Sequence, residues 1–526
     1  MFSKRYKTVS FILASSLAVS TLCGCSIVNS SQSAANETSL PTTSATTWPE
    51  ISETTTEATT AETTEETTEA VVSEETYQTA IWNDDVDPEY VNSIDGVTPE
   101  MMRADFWIGE DDNRILMDAD EITEFNYNNR ATNKTGDGVI MPKFDEFGEV
   151  MDGNILRAFL KENADSVPDE PSKYYLNGHQ TTRGYWQNLV ELSNMDAVED
   201  EVKVRYGFTV KRMTVRLFPT EDKVYNGKSD RFFDYMLYSE CMPFMPVVVL
   251  HESLDGEYLY VVFDSFSSWV RKDAIALCKD RDDWQARQFP ENRLVVTARE
   301  IRLGDDPHLT STEDLVLPMG TYMSLVSADD APSEINQRAT FCDYVVKIPT
   351  RGSDGYIKDE YFLIPVSDDV YVGFLPLTPA NIVRQAMKLL GDRYGWGGDL
   401  RANDCTGITR EIYRCFGVLL PRVGQSNSKG IYKVDLSDMS DEEKLAEIEK
   451  LYPGSLISFT GHMMIYLGTV DGVPYVISAV GTLVEPGSSE ILHPRSVVIN
   501  SLYVKNSKMN TWLGISQTAL MFIPER

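Results

Sequence analysis

Closely spaced cysteine pairs are absent from most of this 526-residue sequence. Cys23 and Cys25 stand near the N-terminus, and the other five of the seven cysteines form no C-x-x-C pair. Those five are Cys241, Cys278, Cys342, Cys405 and Cys415. Their scatter argues against both a disulfide framework and a zinc site. We expect four of the five to be small buried hydrophobes, and the surroundings of Cys405 set it apart.

Lysine and arginine are absent from residues 26–78, which hold ten glutamates among many Thr, Ser and Ala residues. Because like charges repel and little apolar surface is available to bury, residues 25–78 are predicted to be a disordered tether. The whole chain has a formal net charge of −34. Electrostatic repulsion of this kind argues against nucleic acid and anionic wall polymers as partners.

The N-terminus has an apolar run, but the run is too short to span a bilayer comfortably. A basic start, residues 4–7, precedes an apolar run over residues 9–22, the layout of an export signal. The run ends in Leu22-Cys23-Gly24-Cys25, which resembles a bacterial lipobox. The resemblance implies that residues 1–24 are a lipoprotein signal and that Cys25 carries the lipid, including palmitate. The protein would then be anchored to the outer face of the cytoplasmic membrane. The alternative is an ordinary secretory signal that ends in cysteines.

Residues 79–201 are polar and rich in Asn and Asp, with scattered helical signals. Leu156, Phe159 and Leu160 fall on one helical face, and a second face begins at Trp186. This pattern predicts an irregular helical segment that clasps the domains that follow.

Short alternating strands replace the helical pattern in residues 202–288. β-rich runs at 209–212, 247–250, 258–262 and 268–270 are separated by turn signals, including Asp255-Gly256, and predict a small barrel. The order "VRLFPT", "PVVVLHESLDGEYLYVVF", "SSWV" resembles a bacterial SH3-like domain. Residues 289–376 repeat the pattern with "LVLPMGTYMSLV" and "VYVGFLP", and they resemble a second such domain. The alternative is two β-domains that bind no ligand.

Two helix starts frame Cys405 in the C-terminal region, residues 377–526. Thr378-Pro379 begins a helix that Gly391 is predicted to end, and a second helix is predicted from Cys405 to Gly417. The N-terminus of a helix stabilises an anion, so this position favours the thiolate of Cys405 and makes it a nucleophile. Cys415, in the last turn of the same helix, is predicted to be structural.

A thiol nucleophile requires a base, and histidine is the usual one. The five histidines are His179, His251, His308, His462 and His493. Only His462 opens a predicted strand, directly after Gly461. From spacing alone, a histidine that begins a strand is more often structural than catalytic.

The run "YGWGGDLRANDCTGITREIYRCFGVLLPR", followed by "PGSLISFTGHMMIYLG", closely resembles the NlpC-type papain-like cell-wall peptidases. The resemblance implies a multidomain α+β protein whose C-terminal papain-like domain packs helices on an antiparallel sheet, preceded by two SH3-like barrels and the helical segment. It implies that Cys405 is the nucleophile and His462 the base. The same motifs imply that four residues line the substrate cleft: Tyr394, Trp396, Asp404 and Thr406.

The third catalytic position departs from the family pattern. The family commonly has a histidine on the next strand, and this sequence has Ser478 there. A strict two-residue hairpin at Asp471-Gly472 would place Ser478 on the face away from His462, whereas one extra residue would place it on the same face. Either the hairpin is bulged, or a backbone carbonyl or a water orients His462.

The resemblance implies a cysteine endopeptidase that cleaves the γ-D-glutamyl–diamino acid bond of peptidoglycan stem peptides and requires a free N-terminal L-Ala. The first SH3-like domain would close part of the pocket. The chemistry needs no metal or organic cofactor, and we expect a monomer. Two alternatives are a tethered wall-binding protein with a degenerate peptidase domain, and an amidase or acyltransferase on the same fold.

Overall fold

The computed structural model describes residues 91–523, except 131–132, 305, 310–311, 313–314 and 423. The predicted signal peptide, the tether and Cys25 lie outside the described residues. Within the described part of the chain, no helix is long and apolar enough to cross a membrane.

The first described segment, up to residue 204, is mainly helical, as its sequence predicts. Its elements are α1 (Ala104–Trp107), α2 (Ala119–Asn129), β1 (Val150–Asp152), α3 (Gly153–Ala164), β2 (Tyr175–Leu176), β3 (His179–Gln180), α4 (Arg183–Leu192) and β4 (Glu201–Lys203). Trp107 and Phe125 are buried in the core of the C-terminal domain, whereas Phe147 and Leu156 are buried in the core of the first β-domain. The segment therefore packs against two separate cores.

The first β-domain is built around a seven-stranded antiparallel sheet of order β12-β5-β9-β10-β11-β6-β8. Its strands are β5 (Arg205–Thr209), β6 (Met213–Arg216), β7 (Val224–Tyr225), β8 (Leu237–Cys241), β9 (Pro246–Glu252), β10 (Tyr258–Val262), β11 (Ser267–Arg271) and β12 (Ile275–Leu277), and β7 pairs with β2 outside that sheet. The predicted strand at 209–212 is wrong except at its first residue, because Thr209 ends β5 and residues 210–212 connect β5 to β6. Lys211 and Arg212 there form ion pairs with Asp273 and Glu240.

The second β-domain follows α5 (Arg281–Gln288) and has a five-stranded antiparallel sheet of order β20-β19-β16-β13-β21. Its strands are β13 (Arg293–Val296), β14 (Glu300–Arg302), β15 (Val316–Pro318), β16 (Tyr322–Leu325), β17 (Glu334–Ile335), β18 (Arg338–Ala339), β19 (Asp343–Arg351), β20 (Ile357–Pro365) and β21 (Val370–Val372). Cys342 is exposed at the turn before β19, so the expectation of four buried cysteines is wrong for this one. The other three, Cys241, Cys278 and Cys415, are buried.

The C-terminal domain packs helices on a six-stranded antiparallel sheet of order β22-β27-β23-β24-β25-β26. Its elements are α6 (Pro379–Met387), α7 (Cys405–Arg414), β22 (Tyr432–Asp435), α8 (Asp441–Ile448), β23 (Leu456–Phe459), β24 (His462–Val470), β25 (Val473–Val480), β26 (Ser496–Ser501), α9 (Trp512–Ile515) and β27 (Thr518–Met521). Thr378 caps α6 through its side chain, as predicted, with Pro379 in the first turn. The helix ends at Met387, four residues before Gly391, because the chain tightens into a turn there.

Candidate active site

Cys405 is the first residue of α7, and its thiol is half-buried. Asp404 caps the helix by accepting a hydrogen bond from the Gly407 N–H at 2.9 Å. A Cβ on Gly407 would lie 2.8 Å from Asn403 Oδ1, so this first turn is tight. The backbone of Met463, the residue after His462, lies close enough to the Cys405 sulfur to lower the pKa of its thiol. Cys405 therefore lies beside the start of β24, at a helix N-terminus.

The electrostatics of Cys405 differ from the prediction made from its helix position. Burial, followed by the neighbouring Asp404 carboxylate, raises the pKa of the Cys405 thiol to about 12. A helix N-terminus contributes up to about 2 kcal/mol to an anion, equivalent to roughly 1.5 pKa units. That is less than the increase from burial and Asp404. At neutral pH Cys405 therefore rests as a thiol.

His462, the first residue of β24, packs against two aromatic rings that also contact each other. The centroid of its imidazole is 5.3 Å from that of Phe459 and 4.8 Å from that of Trp512. Burial lowers the pKa of His462 to about 4. The imidazole is therefore neutral at pH 7 and available to accept a proton, so the resting pair is thiol and imidazole.

Ser478 lies within hydrogen-bond distance of His462. Its Oγ is 3.0 Å from His462 Nε2, and its side chain is fully buried. Because Nε2 faces Ser478, Nδ1 is the ring nitrogen left to exchange a proton with Cys405. Ser478 thus occupies the position from which a partner would orient the base.

A β-bulge places Ser478 on this face of the sheet. Asp471 and Gly472 both have positive φ and form a two-residue turn, with Val470 opposite Val473. Further along, Tyr466 pairs with Val476 and Gly468 with Tyr475, so Leu467 is an extra residue in β24. The extra residue shifts the pairing by one position, so that beyond the bulge each β25 side chain shares a face with the opposite set of β24 side chains. The bulge predicted as one alternative is therefore present, but in the strand and not in the loop.

Arg422 binds both polar side chains that flank the nucleophile. Its guanidinium pairs with the Asp404 carboxylate and contacts Thr406 Oγ1. Burial alone would raise the pKa of Asp404, but the charge and hydrogen bonds of Arg422, with the N–H groups of Gly407 and Gly397, lower it. The Asp404 carboxylate is thus ionised and already paired within the protein.

Arg422 also connects the nucleophile to the first β-domain. Its Nε donates to Ser239 Oγ at 3.0 Å, and its backbone N–H donates to Ser265 Oγ at 3.1 Å. Arg422 is the last residue of the run that resembles the NlpC-type peptidases, but the sequence alone assigns it no role. No local signal identifies Ser239 or Ser265, because their relation to Cys405 arises only from domain packing.

The first β-domain closes one end of the cleft around Trp396. The Phe233 ring lies edge-on to Trp396 with centroids 5.6 Å apart. The turn after Trp396 approaches β8 so closely that a Cβ on Gly398, at φ +95°, would lie 2.2 Å from the Glu240 Cβ. Lys223 Nζ pairs with Asp399 at 2.5 Å across the same junction. The glycines of this turn therefore allow the two domains to meet.

Tyr394 stands on the opposite side of this turn. Its backbone pairs with Asn403, two residues before Cys405, and its ring would lie 4.0 Å from a Cβ on Gly481. Tyr394 thus pairs with the segment that leads into Cys405, Asp404 and Thr406 flank Cys405 in the chain, and Trp396 packs on Phe233 of the first β-domain. Sequence reasoning missed Trp512, which packs on His462 from fifty residues further along the chain and carries no local signal.

The described residues contain no group of three or more His, Cys, Asp or Glu side chains placed to hold a metal ion. The chemistry that this arrangement supports is nucleophilic attack by sulfur, with a neutral imidazole as the base.

The resting state of Cys405 can be tested by alkylation. With a thiol pKa of about 12, the iodoacetamide rate at Cys405 should rise about tenfold per pH unit from pH 7 to 10, because only the thiolate reacts. Mass spectrometry of the Cys405 peptide measures this rate, and exposed Cys342 reports an accessible thiol in the same sample. A rate at Cys405 that is constant between pH 5 and 8 would instead indicate a thiolate–imidazolium pair.

Comparison with known proteins assigns two domains. Residues 391–513 match the NlpC/P60 family, and residues 223–271 match the SH3 domain of SH3b1 type. The chain is 22% identical over 238 residues to dipeptidyl-peptidase 6 of Lysinibacillus sphaericus, covering 44% of this chain and 77% of the relative. The fold resembles that of an NlpC/P60 endopeptidase from Photobacterium damselae subsp. piscicida, with TM-score 0.62 at 17% identity, covering 84% of this chain and all of that one. An SH3-like assignment of the second β-domain stays a prediction. This chain therefore contains a C-terminal domain that matches the NlpC/P60 family and a β-domain that matches the SH3 domain of SH3b1 type.

Proposed function

We propose that this protein is a cysteine endopeptidase that cleaves the γ-D-glutamyl–diamino acid bond of peptidoglycan stem peptides. The observation that carries the proposal is the contact between His462 Nε2 and Ser478 Oγ, 3.0 Å apart, next to Cys405 at its helix N-terminus. A nucleophile, a base and an orienting group are then all provided by this chain. This arrangement argues against a degenerate domain that only binds the wall.

In the proposed mechanism, His462 acts as a general base toward a neutral thiol. As Cys405 sulfur attacks the γ-amide carbonyl carbon, its proton moves to His462 Nδ1. Backbone N–H groups at the start of α7 stabilise the oxyanion. The imidazolium then protonates the departing amine of the diamino acid, and the C–N bond breaks. Water, deprotonated by His462, hydrolyses the resulting thioester and regenerates the thiol.

The closed end of the cleft supports cleavage near a peptide N-terminus. Phe233 and Glu240 of the SH3 domain stand against the turn at Trp396 to Gly398, which limits the length of peptide beyond the nucleophile. The curated relative is a dipeptidyl-peptidase by name, and L-Ala-γ-D-Glu is a dipeptide. We therefore propose that the substrate presents a free N-terminal L-Ala. Asp404 contributes negative charge near this end as half of an ion pair with Arg422.

The proposed reaction can be tested with the purified body, residues 79–526, and L-Ala-γ-D-Glu-diamino acid tripeptides. We expect release of L-Ala-γ-D-Glu, no release by Cys405→Ala, and at least tenfold slower cleavage when the L-Ala amine is acetylated. Chromatography with mass detection measures the products. An intact peptide after prolonged incubation with the parent protein would contradict the proposal. Acyl transfer to an added amine would instead indicate the acyltransferase alternative.

The role proposed for Ser478 predicts a specific kinetic change. Ser478→Ala should lower kcat about fivefold with little change in KM, because one hydrogen bond that orients the imidazole is worth about 1 kcal/mol. Ser501→Ala, a buried serine on the adjacent β26, is the matched control. Equal kcat in Ser478→Ala and the parent would mean that Phe459 and Trp512 alone hold the ring.

We further propose that Cys25 is diacylated and that the lipid holds the protein at the outer face of the cytoplasmic membrane. The support is the lipobox-like Leu22-Cys23-Gly24-Cys25 and the acidic stretch that follows. In a bacterial host fed a palmitate analogue, the parent and Cys23→Ser should be labelled and sediment with membranes. Cys25→Ser should lose the label and leave the membrane fraction, because the acyl chains supply the anchor. Labelling of Cys25→Ser would contradict this.

A further inference from the structure

Arg495 has an unusual backbone conformation beside the cleft. It lies just before β26 with φ +49°, and its carbonyl accepts a hydrogen bond from the Tyr394 N–H at 2.7 Å. Residues other than glycine rarely adopt this left-handed conformation, and such strain is concentrated at functional sites. The backbone of Arg495 is therefore fixed next to a residue of the cleft.

The side chain of Arg495 extends toward the SH3 domain. Its guanidinium carbon lies 3.3 Å from the centroid of the Phe232 ring. Phe232 precedes Phe233, whose ring contacts Trp396. The guanidinium thus lies over a ring of the SH3 domain whose chain neighbour contacts Trp396, and we call these rings the aromatic wall. A guanidinium stacked on a ring keeps its N–H edge available for a planar anion.

Three other cations near this wall already have partners within the protein. Arg422 pairs with Asp404, and Lys223 pairs with Asp399. The guanidinium of Arg231 donates to the carbonyls of Lys228 and Asp230. Arg495 differs, because across the described residues its guanidinium forms no ion pair or hydrogen bond with a carboxylate or a carbonyl. In a chain of net charge −34, an unpaired cation in a cleft attracts an anionic group of the substrate.

The chemistry of the substrate identifies that group, and this step rests on the proposed function. At the closed end of the cleft, the part of the peptide before the scissile bond is L-Ala-γ-D-Glu. Its N-terminus is a cation, and the γ-linkage consumes the side-chain carboxyl of D-Glu. One anion is left, the α-carboxylate of D-Glu. The geometry points to Arg495 as the residue that binds this α-carboxylate and selects γ-D-glutamate over its α-carboxamide.

The position of Arg495 also explains why the SH3 domain matters for this selection. Arg495 belongs to the peptidase domain, whereas the Phe232 ring under its guanidinium belongs to the SH3 domain. Without Phe232 the Arg495 side chain would lose one restraint on its orientation. Substrate binding would then have to order this side chain, at a cost in binding free energy. Arg495 is thus a specificity-determining residue, and Phe232 is its positioning residue.

Two tripeptides that differ in a single group test the inference on the unmodified protein. One is L-Ala-γ-D-Glu-diamino acid, and the other carries an α-carboxamide in place of the D-Glu α-carboxylate. We expect kcat/KM to be about tenfold to a hundredfold higher for the carboxylate, as for the loss of a charged hydrogen bond. Equal rates on both peptides would overturn the role of Arg495 and leave the proposed function standing. Cleavage of neither would overturn the proposed function and this inference together.

Variants then assign the preference to Arg495. In Arg495→Gln the ratio of the two kcat/KM values should fall to near one, through slower cleavage of the carboxylate alone. Phe232→Leu should lower the ratio only in part. Arg384→Gln, which removes the same charge from the exposed face of α6, is the control and should keep the parent ratio. A parent ratio in a folded Arg495→Gln, with an unchanged circular dichroism spectrum and melting midpoint, would refute the assignment.

Discussion

The ion pair between Asp404 and Arg422 is the interaction on which the active site depends. Both side chains are nearly buried, at 8% and 12% exposure, where loss of one partner would leave an uncompensated charge at a cost of about 3–5 kcal/mol. Asp404 caps the helix that begins with Cys405, and Arg422 also holds Ser239 and Ser265 of the first β-domain. One hydrogen-bonded network therefore both caps the nucleophile helix and attaches the first β-domain. A change at Ser239 or Ser265 would reach Cys405 through Arg422, whose guanidinium binds the Asp404 carboxylate.

The same ion pair determines how the nucleophile must work. Burial is the largest cause that raises the pKa of the Cys405 thiol, and the Asp404 carboxylate is the second. The charge of Arg422 offsets only part of this increase in pKa. With His462 neutral as well, the proton must move when the substrate binds. A base that acts in this way must be correctly oriented at that moment. The two aromatic rings around His462 and the Ser478 hydroxyl provide that orientation.

Local signals in the sequence placed the two principal residues of the site on their elements, and the family resemblance supplied the roles expected of them. A cap followed by a helix predicted Cys405 at a helix N-terminus, and the strand pattern placed His462 at a strand start. Ser478 could not be placed in this way, because its face depends on the bulge at Leu467. Next to that bulge, Gly468 has φ +155°, and a Cβ there would lie 3.2 Å from the Trp107 ring. The packing that accompanies the bulge thus comes from a segment about 360 residues earlier in the chain, which no local pattern reveals. The resting charge of Cys405 was equally hidden, since burial is a property of the folded protein.

Domain packing accounts for the part of the site that the sequence could not predict. At two places in the interface, a residue of the peptidase domain is constrained by a residue of the SH3 domain. A side chain at Gly398 would collide with Glu240. The Arg495 guanidinium lies over the Phe232 ring. The peptidase domain alone has the nucleophile and the base, but its cleft would be open at the Trp396 end. The SH3 domain packs against that end, and under the proposed function this contact limits how much of a peptide can extend beyond the nucleophile.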